Sequence, residues 1–295
     1  MPPNAGCRRL TPVDPATGAA VATLVLYPCR APALTVRFGS YPLEVAMDGP
    51  VEGARLPLVV ISHGTGGTPL VYRSLAARLA RDGFAVALPE HPGNSRSDNS
   101  LAGTAANLEN RPRHLRLVID AVHGDAVLGP QLLPGIVGAI GHSMGGYTVL
   151  AAAGGRPAAF PRETQDGRAA PVPVTADPRI RSLVLLAPAA AWFLAPGALA
   201  EVTAPILMMT AEKDEHAPAE HGEIIRSRLG ERARLEHRVV AGAGHFAFLT
   251  PFPPEMAVPS FPPAQDPPGF DRAAFQAEME AEVSAFLQRT LRPEG

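Results

Sequence analysis

The chain has little of several residue types on which whole classes of protein depend. It has two cysteines among 295 residues, Cys7 and Cys29, which are too few for a disulfide framework and lack the spacing of metal ligands. Both lie near the ends of a predicted N-terminal hairpin, so the sequence leaves open whether they form a disulfide with each other. Lys213 is the only lysine and the net charge is −2, which gives no electrostatic case for binding nucleic acid or an anionic membrane.

Long apolar runs are also missing. No run approaches the ~20 residues that cross a bilayer, and the apolar stretch at 19–27 follows Asp14 and Pro15 instead of the basic segment of a secretion signal. We therefore predict a soluble, cytoplasmic protein without a membrane span, and leave open a leader that has been removed. Hydrophobic residues make up 46% of the chain, which is enough for a sizeable core and excludes general disorder.

Apolar runs alternate with segments of helical periodicity from residue 56 onwards. The predicted strands are 56–62, 84–89, 136–140, 180–186, 206–210 and 235–240, and the predicted helices are 70–81, 113–122, 147–153, 219–229 and 271–291. This alternation predicts a mostly parallel sheet with helices on both faces. Residues 1–55 predict antiparallel strands at one edge of the sheet, and residues 154–178 predict an irregular insertion. Residues 251–268 contain eight prolines and predict a loop. We expect one α/β domain over 1–295.

Gly141-His142-Ser143-Met144-Gly145 lies between a predicted strand and a predicted helix, as in the G-x-S-x-G nucleophile elbow. The turn is so sharp that side chains at Gly141 and Gly145 would collide with neighbouring backbone. Ser143 is therefore the predicted nucleophile. The alternative is a glycine-rich turn whose serine hydroxyl is already hydrogen bonded.

A serine hydroxyl needs a base that takes its proton, and nine histidines compete for this role. His245 follows the last predicted strand, where loops of an open α/β sheet carry catalytic groups. His63 and His91 precede the serine, which is the wrong order for Ser, acid, His. His142 adjoins Ser143 and is expected to point elsewhere. We therefore predict His245 as the base; a loop histidine with no catalytic role is the alternative.

The base needs an acid that fixes its tautomer and stabilises its positive charge. Asp214 follows the strand predicted at 206–210 and is our choice, with Glu212 and Glu215 as local competitors. The preceding connection, 187–200, contains no Asp or Glu, which removes the other position where such folds place the acid. A solvated cluster of charges is the alternative interpretation.

The oxyanion of the reaction needs hydrogen-bond donors that are in place beforehand. The backbone N–H of Met144, at a helix N-terminus, is one predicted donor. The second is the backbone N–H of Thr65, because the segment at 63–67, His-Gly-Thr-Gly-Gly, is similar to the HGGG-type oxyanion loop. A flexible glycine turn is the alternative at this position.

Several residues on loops near the predicted site are candidates for substrate binding. They are Gly64, Trp192, Phe193, Phe246, Phe248 and Phe252. The aromatic members would line an apolar acyl pocket, although ordinary core packing explains any one of them equally well. The proline-rich segment 251–268 directly follows the His245 loop, and we hypothesise that it forms a semi-rigid wall that restricts access.

Five segments together resemble the α/β-hydrolase superfamily. They are Ser-His-Gly-Thr-Gly-Gly at 62–67, His-Pro-Gly-Asn at 91–94, Gly-His-Ser-Met-Gly-Gly at 141–146, Asp214, and Gly-Ala-Gly-His-Phe at 242–246. More narrowly, they resemble its predicted dienelactone-hydrolase branch, which is similar to bacterial relatives of platelet-activating-factor acetylhydrolases. The resemblance implies an eight-stranded, mostly parallel sheet and hydrolysis of carboxylic esters without a cofactor.

The chain departs from these relatives in two respects. True dienelactone hydrolases use a cysteine nucleophile, where this chain has Ser143. The segment at 141–146 also resembles bacterial cutinases and polyester hydrolases, but their acid lies closer to the serine than Asp214 does.

We therefore predict a serine carboxylic-ester hydrolase that acts through an acyl-enzyme on small or short-acyl esters, with no metal and no other cofactor. Lipase or cutinase-like polyester hydrolysis, dienelactone hydrolase-like, acetylhydrolase, amidase and thioesterase activities stay open. The alternative from another class is a catalytically silent scaffold used for binding, because fold does not imply function. The predicted partner is a small-molecule ester, and both a monomer and a homodimer stay open.

Overall fold

Strands alternate with helices along most of the chain in the computed structural model, which describes residues 3–292. The strands are β1 Asn4–Leu10, β2 Thr23–Cys29, β3 Leu34–Phe38, β4 Tyr41–Met47, β5 Leu56–Ser62, β6 Ala85–Pro89, β7 Leu132–His142, β8 Ala158–Ala159, β9 Ala170–Pro171, β10 Ile180–Leu186, β11 Ile206–Ala211 and β12 Leu235–Val240. The α-helices are α1 Arg73–Arg81, α2 Ala105–Gly124, α3 Met144–Ala152, α4 Ala219–Arg228 and α5 Arg272–Leu291. Short 3-10 helices include Pro69–Tyr72, His245–Phe248, Pro254–Met256 and Pro262–Ala264.

One sheet takes in ten of these strands, in the order β12-β11-β10-β7-β5-β6-β2-β1-β4-β3. The six strands from β12 to β6 pair in parallel, and β2 continues the sheet antiparallel to β6. The mostly parallel sheet is therefore confirmed, but it has ten strands instead of the eight expected. The two extra strands are the β3–β4 hairpin, which joins through a short parallel pairing of β4 with β1. The division into a single domain stays a prediction.

The central strand β5 is buried on both faces, as its unbroken apolar sequence predicts. Its alternate side chains enter two separate cores: Leu58 and Val60 pack with α2 and α3, whereas Val59 and Ile61 pack with α1 and α5. Full burial of one such side chain contributes about 1.5–3 kcal/mol. Because both faces are covered, the strand ends are the places where polar groups of this sheet can reach solvent.

Helix α2 begins at Ala105, eight residues before the predicted start at Arg113. The prediction failed because Pro112 stands inside the helix, where proline ordinarily breaks the hydrogen-bond ladder. The structure compensates for the missing bond, since the Tyr147 hydroxyl donates a hydrogen bond of 2.9 Å to the Leu108 carbonyl, four residues before the proline. A Thr104 side chain that accepts from the Asn107 N–H caps the helix start.

Helix α5 carries the apolar stripe that the sequence predicts as core. Phe275, Met279, Val283, Phe286 and Leu287 are all buried against the sheet. None of the helices in residues 3–292 is long and apolar enough to cross a bilayer.

The two cysteines are buried and not bonded to each other. In the β1–β2 pair, Cys7 lies opposite Leu26, whereas Cys29 lies opposite Asn4. The two cysteines are therefore three residue steps apart along the ladder, about 10 Å, which exceeds the reach of a disulfide. Burial also raises the pKa of Cys7 to about 12, so its thiol stays protonated at neutral pH.

Candidate active site

Ser143 occupies a strained turn between β7 and α3, as the sequence motif predicts. Its φ of 54° and ψ of −120° lie outside the regions that L-residues ordinarily adopt. The backbone around it is held by hydrogen bonds from the Ser143 N–H to the Leu186 carbonyl and from the Ala189 N–H to the Ser143 carbonyl, at 3.1 and 2.8 Å. The neighbouring strand end therefore supports a conformation that is unfavourable by about 1–3 kcal/mol on its own.

The glycines of the motif are required by close backbone approaches. A Cβ at Gly141 would lie 2.2 Å from the Gly145 carbonyl oxygen, and a Cβ at Gly145 would lie 1.9 Å from the Ser62 carbonyl oxygen. Both distances are to backbone atoms that cannot move aside. The alternative of an ordinary glycine-rich turn does not account for this packing, which presses the elbow against the end of β5.

His245 and Asp214, from two different loops, are joined by a hydrogen bond. The His245 Nδ1–H donates to Asp214 Oδ2 at 2.8 Å, and the Asp214 side chain is fully buried. The other carboxylate oxygen accepts the backbone N–H groups of His216 and Ala217, at 2.9 and 2.7 Å. Burial alone would raise the pKa of Asp214, but the hydrogen bond and charge of His245 and these two N–H groups outweigh it and lower the pKa.

This bond fixes the tautomer of His245. An ionised carboxylate accepts only, so the ring proton of the neutral imidazole lies on Nδ1 and Nε2 is left as an acceptor. The competing acids lie elsewhere: Glu212 accepts the Gly242 N–H, and Glu215 is exposed. An imidazole held in this tautomer can act as a general base.

Ser143 and His245 line the same cavity, which has a volume of about 350 Å³. Its walls are mostly aromatic or small, and its floor is the elbow. The lining residues are Tyr41, Gly64, Thr65, Gly66, Gly67, Thr68, Val71, Tyr72, Arg96, His142, Ser143, His216, His245, Phe246, Leu249, Phe252, Phe261 and Pro263. A cavity of this size and composition suits a small organic ligand.

His142 also lines this cavity, so the expectation that it points elsewhere is wrong. Its ring lies 4.8 Å from that of His245, and its Nε2–H donates to the His245 backbone carbonyl at 3.0 Å. Its Nδ1 accepts the Tyr72 hydroxyl at 2.9 Å. Both ring nitrogens are used, and burial with the nearby charge of His245 lowers the pKa of His142 to about 3. His142 therefore stays neutral and ties the elbow to the His245 loop.

The loop after β5, which is the predicted oxyanion loop, is fixed by a second neutral histidine. His63 Nε2 accepts the His91 backbone N–H at 3.1 Å, so the ring proton lies on Nδ1 and is donated to the Gly64 carbonyl at 2.7 Å. The Gly64 carbonyl and the Thr65 N–H belong to one planar peptide and point in opposite directions. By holding the carbonyl, His63 therefore sets the direction of the N–H predicted to bind the oxyanion.

The predicted oxyanion residues lie on either side of the elbow. Thr65 lines the cavity, and a Cβ at Gly64 would lie 3.2 Å from the Ser143 Cβ, so the loop passes directly over the serine. Met144 is the first residue of α3, where a backbone N–H has no partner within the helix. The helix dipole favours negative charge at this end.

A buried arginine stands behind the oxyanion loop. Arg111, which is completely buried, donates to the side chains of Thr148 and Asn94 at 2.8 and 2.7 Å, to Ser62 Oγ at 3.3 Å, and to the His63 carbonyl. Burial lowers the pKa of Arg111 to about 9, which leaves it charged at neutral pH. The sequence carries no signal for this residue, because nothing local marks an arginine whose partners lie up to 49 positions away.

The predicted substrate residues divide into two groups. Gly64, Phe246 and Phe252 line the cavity. Trp192 and Phe193 do not: the Trp192 indole donates to Glu163, and Phe193 stacks on Tyr147 in the core formed with α2 and α3. Phe248 is likewise core, buried against α5. For these three residues, ordinary core packing is the correct interpretation.

The proline-rich segment forms part of the cavity wall through Phe252, Phe261 and Pro263. Two arginines fasten it. Arg73 donates to the Pro251 carbonyl at 2.6 Å, and Arg272 donates to Asp266 and to the carbonyls of Pro263 and Gln265. The segment is thus held at its start and near its end by side chains from α1 and α5.

Tyr41, Tyr72, Arg96 and His216 line the cavity and were not predicted. They come from four separate parts of the chain, two of them outside the βα units. No spacing in the sequence relates them to Ser143, and only the sheet order brings them together.

Comparison with known proteins supports the same architecture. Residues 54–192 match a family model described as serine aminopeptidase, S33. A ferulic acid esterase from Streptomyces cinnamoneus has a similar structure, with a TM-score of 0.71 and 21% identity over 100% of this chain and 92% of that chain. With a strand–elbow–helix at the centre of a mostly parallel sheet, the protein has the α/β-hydrolase fold.

Proposed function

We propose that the protein is a serine hydrolase that cleaves carboxylic esters through an acyl-enzyme. The observation that carries the proposal is the 2.8 Å hydrogen bond between His245 and Asp214, at a cavity that Ser143 also lines from its strained elbow. Three residues from three loops supply a nucleophile, a base in the required tautomer and a buried acid. The esterase activity named for the structural neighbour is consistent with this proposal.

In the first half of the reaction, Ser143 Oγ attacks the ester carbonyl carbon while His245 Nε2 takes its proton. The tetrahedral intermediate collapses, the bond to the alcohol oxygen breaks, and the His245 imidazolium gives its proton to the departing alcohol. Asp214 stays ionised and stabilises the imidazolium. The products of this half are the free alcohol and an acyl group bound to Ser143.

Water completes the reaction by the same route. His245 Nε2 takes a proton from water, the hydroxide attacks the acyl carbon, and the Ser143 oxygen leaves with the proton that His245 returns. In both halves the oxyanion is stabilised by the N–H groups of Thr65 and Met144, and the loss of one such donor typically costs about 3 kcal/mol.

The cavity favours small or short-acyl esters. Its volume of about 350 Å³ and its aromatic walls would enclose a short acyl chain or a single ring. The motif resemblance to the dienelactone-hydrolase branch and to bacterial acetylhydrolases supports the same size of substrate. The fastened proline-rich segment, which carries two of the aromatic walls, would exclude bulky polymers and so disfavours a polyester hydrolase.

The proposal is tested by hydrolysis of 4-nitrophenyl acetate, butyrate and octanoate. We expect hydrolysis that falls as the chain lengthens, and loss of at least about 10³-fold in kcat for Ser143→Ala. The matched control is Ser227→Ala, an exposed serine on α4, which should keep full activity. Full activity of Ser143→Ala in a pure sample would exclude Ser143 as the nucleophile.

Two further measurements separate the competing functions. A fluorophosphonate probe should label the wild type and not Ser143→Ala; absence of labelling in the wild type would indicate a silent scaffold. Because the family model that matches is described for an aminopeptidase, amino-acid 4-nitroanilides are included. Faster cleavage of these amides than of the esters would replace the ester proposal by a peptidase.

A further inference from the structure

The cavity that holds Ser143 carries a single permanent charge. Among the described residues that line it, Arg96 is the only arginine or lysine, and no aspartate or glutamate is present. The Arg96 side chain makes no ion pair within 4 Å in residues 3–292 and is exposed at the cavity. An unpaired cation on an otherwise aromatic wall is a recognition element for an anion.

The position of Arg96 is fixed by two contacts. Its backbone N–H donates to the Gly67 carbonyl at 2.7 Å, which connects the loop after β6 to the oxyanion loop. Its guanidinium lies 5.4 Å from the centre of the Phe261 ring in the proline-rich wall. Stacking on an aromatic face leaves the N–H groups at the guanidinium edge free to donate. Arg96 is thus held between the oxyanion loop and the wall.

Tyr41 supplies a second, independent observation. Tyr41 is 5% exposed and lines the same cavity, and its hydroxyl is buried without a hydrogen-bond partner among residues 3–292. A buried hydroxyl without a partner is unfavourable, because it has given up its hydrogen bonds to water and gained none in the protein. The guanidinium of Arg73 lies 5.4 Å from the Tyr41 ring and adds positive charge beside it. An acceptor that enters here would satisfy a donor that the protein leaves unsatisfied.

We infer that Arg96 and Tyr41 form an anion subsite, and that the enzyme acts on esters that carry a carboxylate or phosphate away from the bond that is cleaved. The inference rests on the proposed function and adds the substrate class. The anion would bind the Arg96 edge and accept from the Tyr41 hydroxyl, while the ester lies over Ser143. Arg96 and Tyr41 line the same cavity, and the Arg96 side chain is exposed there.

The test compares matched pairs of charged and neutral esters. Mono-4-nitrophenyl glutarate and 4-nitrophenyl pentanoate have similar length and differ in the terminal carboxylate, and 4-acetoxyphenyl phosphate and phenyl acetate differ in a phosphate on the alcohol side. We expect Arg96→Gln to lower kcat/KM about tenfold for the charged member of one pair and less than twofold for its neutral partner. The affected pair identifies carboxylate or phosphate as the anion.

Conservative and remote variants control this result. Arg96→Lys should keep part of the preference, Tyr41→Phe should reduce it by a smaller factor, and added NaCl should weaken it. Arg181→Gln removes an exposed arginine at the amino end of β10, on the opposite edge of the sheet. It should leave kcat/KM unchanged for both the charged and the neutral esters. Equal losses on charged and neutral esters, or no loss on either, would overturn the subsite while the esterase proposal stands.

Failure of the esterase proposal gives a different result. If no ester is hydrolysed, binding of glutarate monoester and of phenyl phosphate to the Ser143→Ala protein is measured by calorimetry. Binding that disappears in the Ser143→Ala, Arg96→Gln double variant would support the anion subsite without the activity. Binding unaffected by Arg96→Gln, or no binding, would overturn it.

Discussion

Two polar clusters flank Ser143, and they differ in whether every histidine ring nitrogen has a hydrogen-bond partner in the protein. The base cluster comprises Tyr72, His142, Asp214 and His245, and the oxyanion-loop cluster comprises Ser62, His63, His91, Asn94 and Arg111. In the base cluster, one ring nitrogen, His245 Nε2, has no protein partner among the described residues. In the oxyanion-loop cluster, both nitrogens of His63 are used.

The difference separates His245, which we propose moves protons, from groups that hold a peptide. Burial and the charge of Arg111 lower the pKa of His63 to about 3 and keep the pKa of His91 well below its usual value. These histidines therefore remain neutral at neutral pH, and His63 keeps the tautomer that has its proton on Nδ1. Burial, with the Arg111 cation beside them, keeps the hydrogen-bond directions fixed, since protonation of His63 would place an N–H against the His91 N–H.

Asp214→Asn should have the largest effect, because it reverses the direction of the bond to His245. A carboxamide presents an N–H donor or a carbonyl in place of a pure acceptor, so the imidazole can hold its proton on Nε2 and lose its basicity toward Ser143. We expect kcat for 4-nitrophenyl butyrate to fall about 10³–10⁴-fold with KM little changed. The measurement is steady-state kinetics at pH 7–8.

A matched acid controls that result. Glu212→Gln alters a carboxylate two residues away that accepts the Gly242 N–H and does not contact His245. It should retain activity within about threefold, which is the range expected of a substitution outside the reacting groups. Comparable losses in both variants would show that the loop as a whole, and not the Asp214–His245 bond, determines the rate.

Asp214 and His245 of the base cluster were predictable from the sequence, whereas Tyr72, His142 and Arg111 were not. Ser143, Asp214 and His245 each follow a strand, and parallel strands bring their carboxyl ends to one edge, so order along the chain was enough to choose them. Arg111 gave no such signal, because it lies within α2 next to the proline that concealed the helix start. Its role depends on contacts between elements that no local pattern encodes.

The cavity walls show the same limit. Proximity to the motifs in sequence selects both Phe246, which lines the cavity, and Trp192, which packs against the core. Trp192 follows β10 at the correct sheet edge, but its connection turns to the face covered by α2 and α3. Tyr41 was outside the candidates because the β3–β4 hairpin, which carries it, joins the sheet through the pairing of β4 with β1. Long-range pairing decides such positions.

His63→Leu should have an intermediate effect, since it removes the donor that holds the Gly64 carbonyl. Deletion of an oxyanion donor outright costs about 10²–10³-fold in kcat, and here the Gly67 N–H still donates to the same carbonyl at 3.2 Å. We expect kcat to fall about 10- to 100-fold, with KM nearly constant. The measurement is kcat and KM for 4-nitrophenyl butyrate, with circular dichroism to verify the fold.

The conservative variant His63→Asn distinguishes positioning from packing. An asparagine amide can place its N–H where His63 Nδ1–H lies and so donate to the Gly64 carbonyl, but it cannot accept the His91 N–H. It should recover most of the lost kcat. If His63→Asn is as slow as His63→Leu while both are folded, the orientation of the Thr65 N–H does not depend on His63.

His142→Leu should have a smaller effect than His63→Leu, because it loosens the base cluster without removing a reacting group. The variant loses the bond to the His245 carbonyl and leaves the Tyr72 hydroxyl without its acceptor. A looser His245 loop should lower kcat about tenfold, equivalent to about 1.4 kcal/mol, and slow the labelling of Ser143 by a fluorophosphonate to the same extent. His142→Gln, whose amide N–H can reach the His245 carbonyl, should restore part of both rates.

Tyr72→Phe completes the comparison, since it breaks only the bond to His142 Nδ1. With Nδ1 free, the His142 proton can leave Nε2, so the His245 carbonyl loses its donor for part of the time and kcat should fall by a factor between those of His142→Gln and His142→Leu. A rate for Tyr72→Phe below that of His142→Leu would instead assign Tyr72 a direct contact with the substrate, which its place in the cavity wall allows.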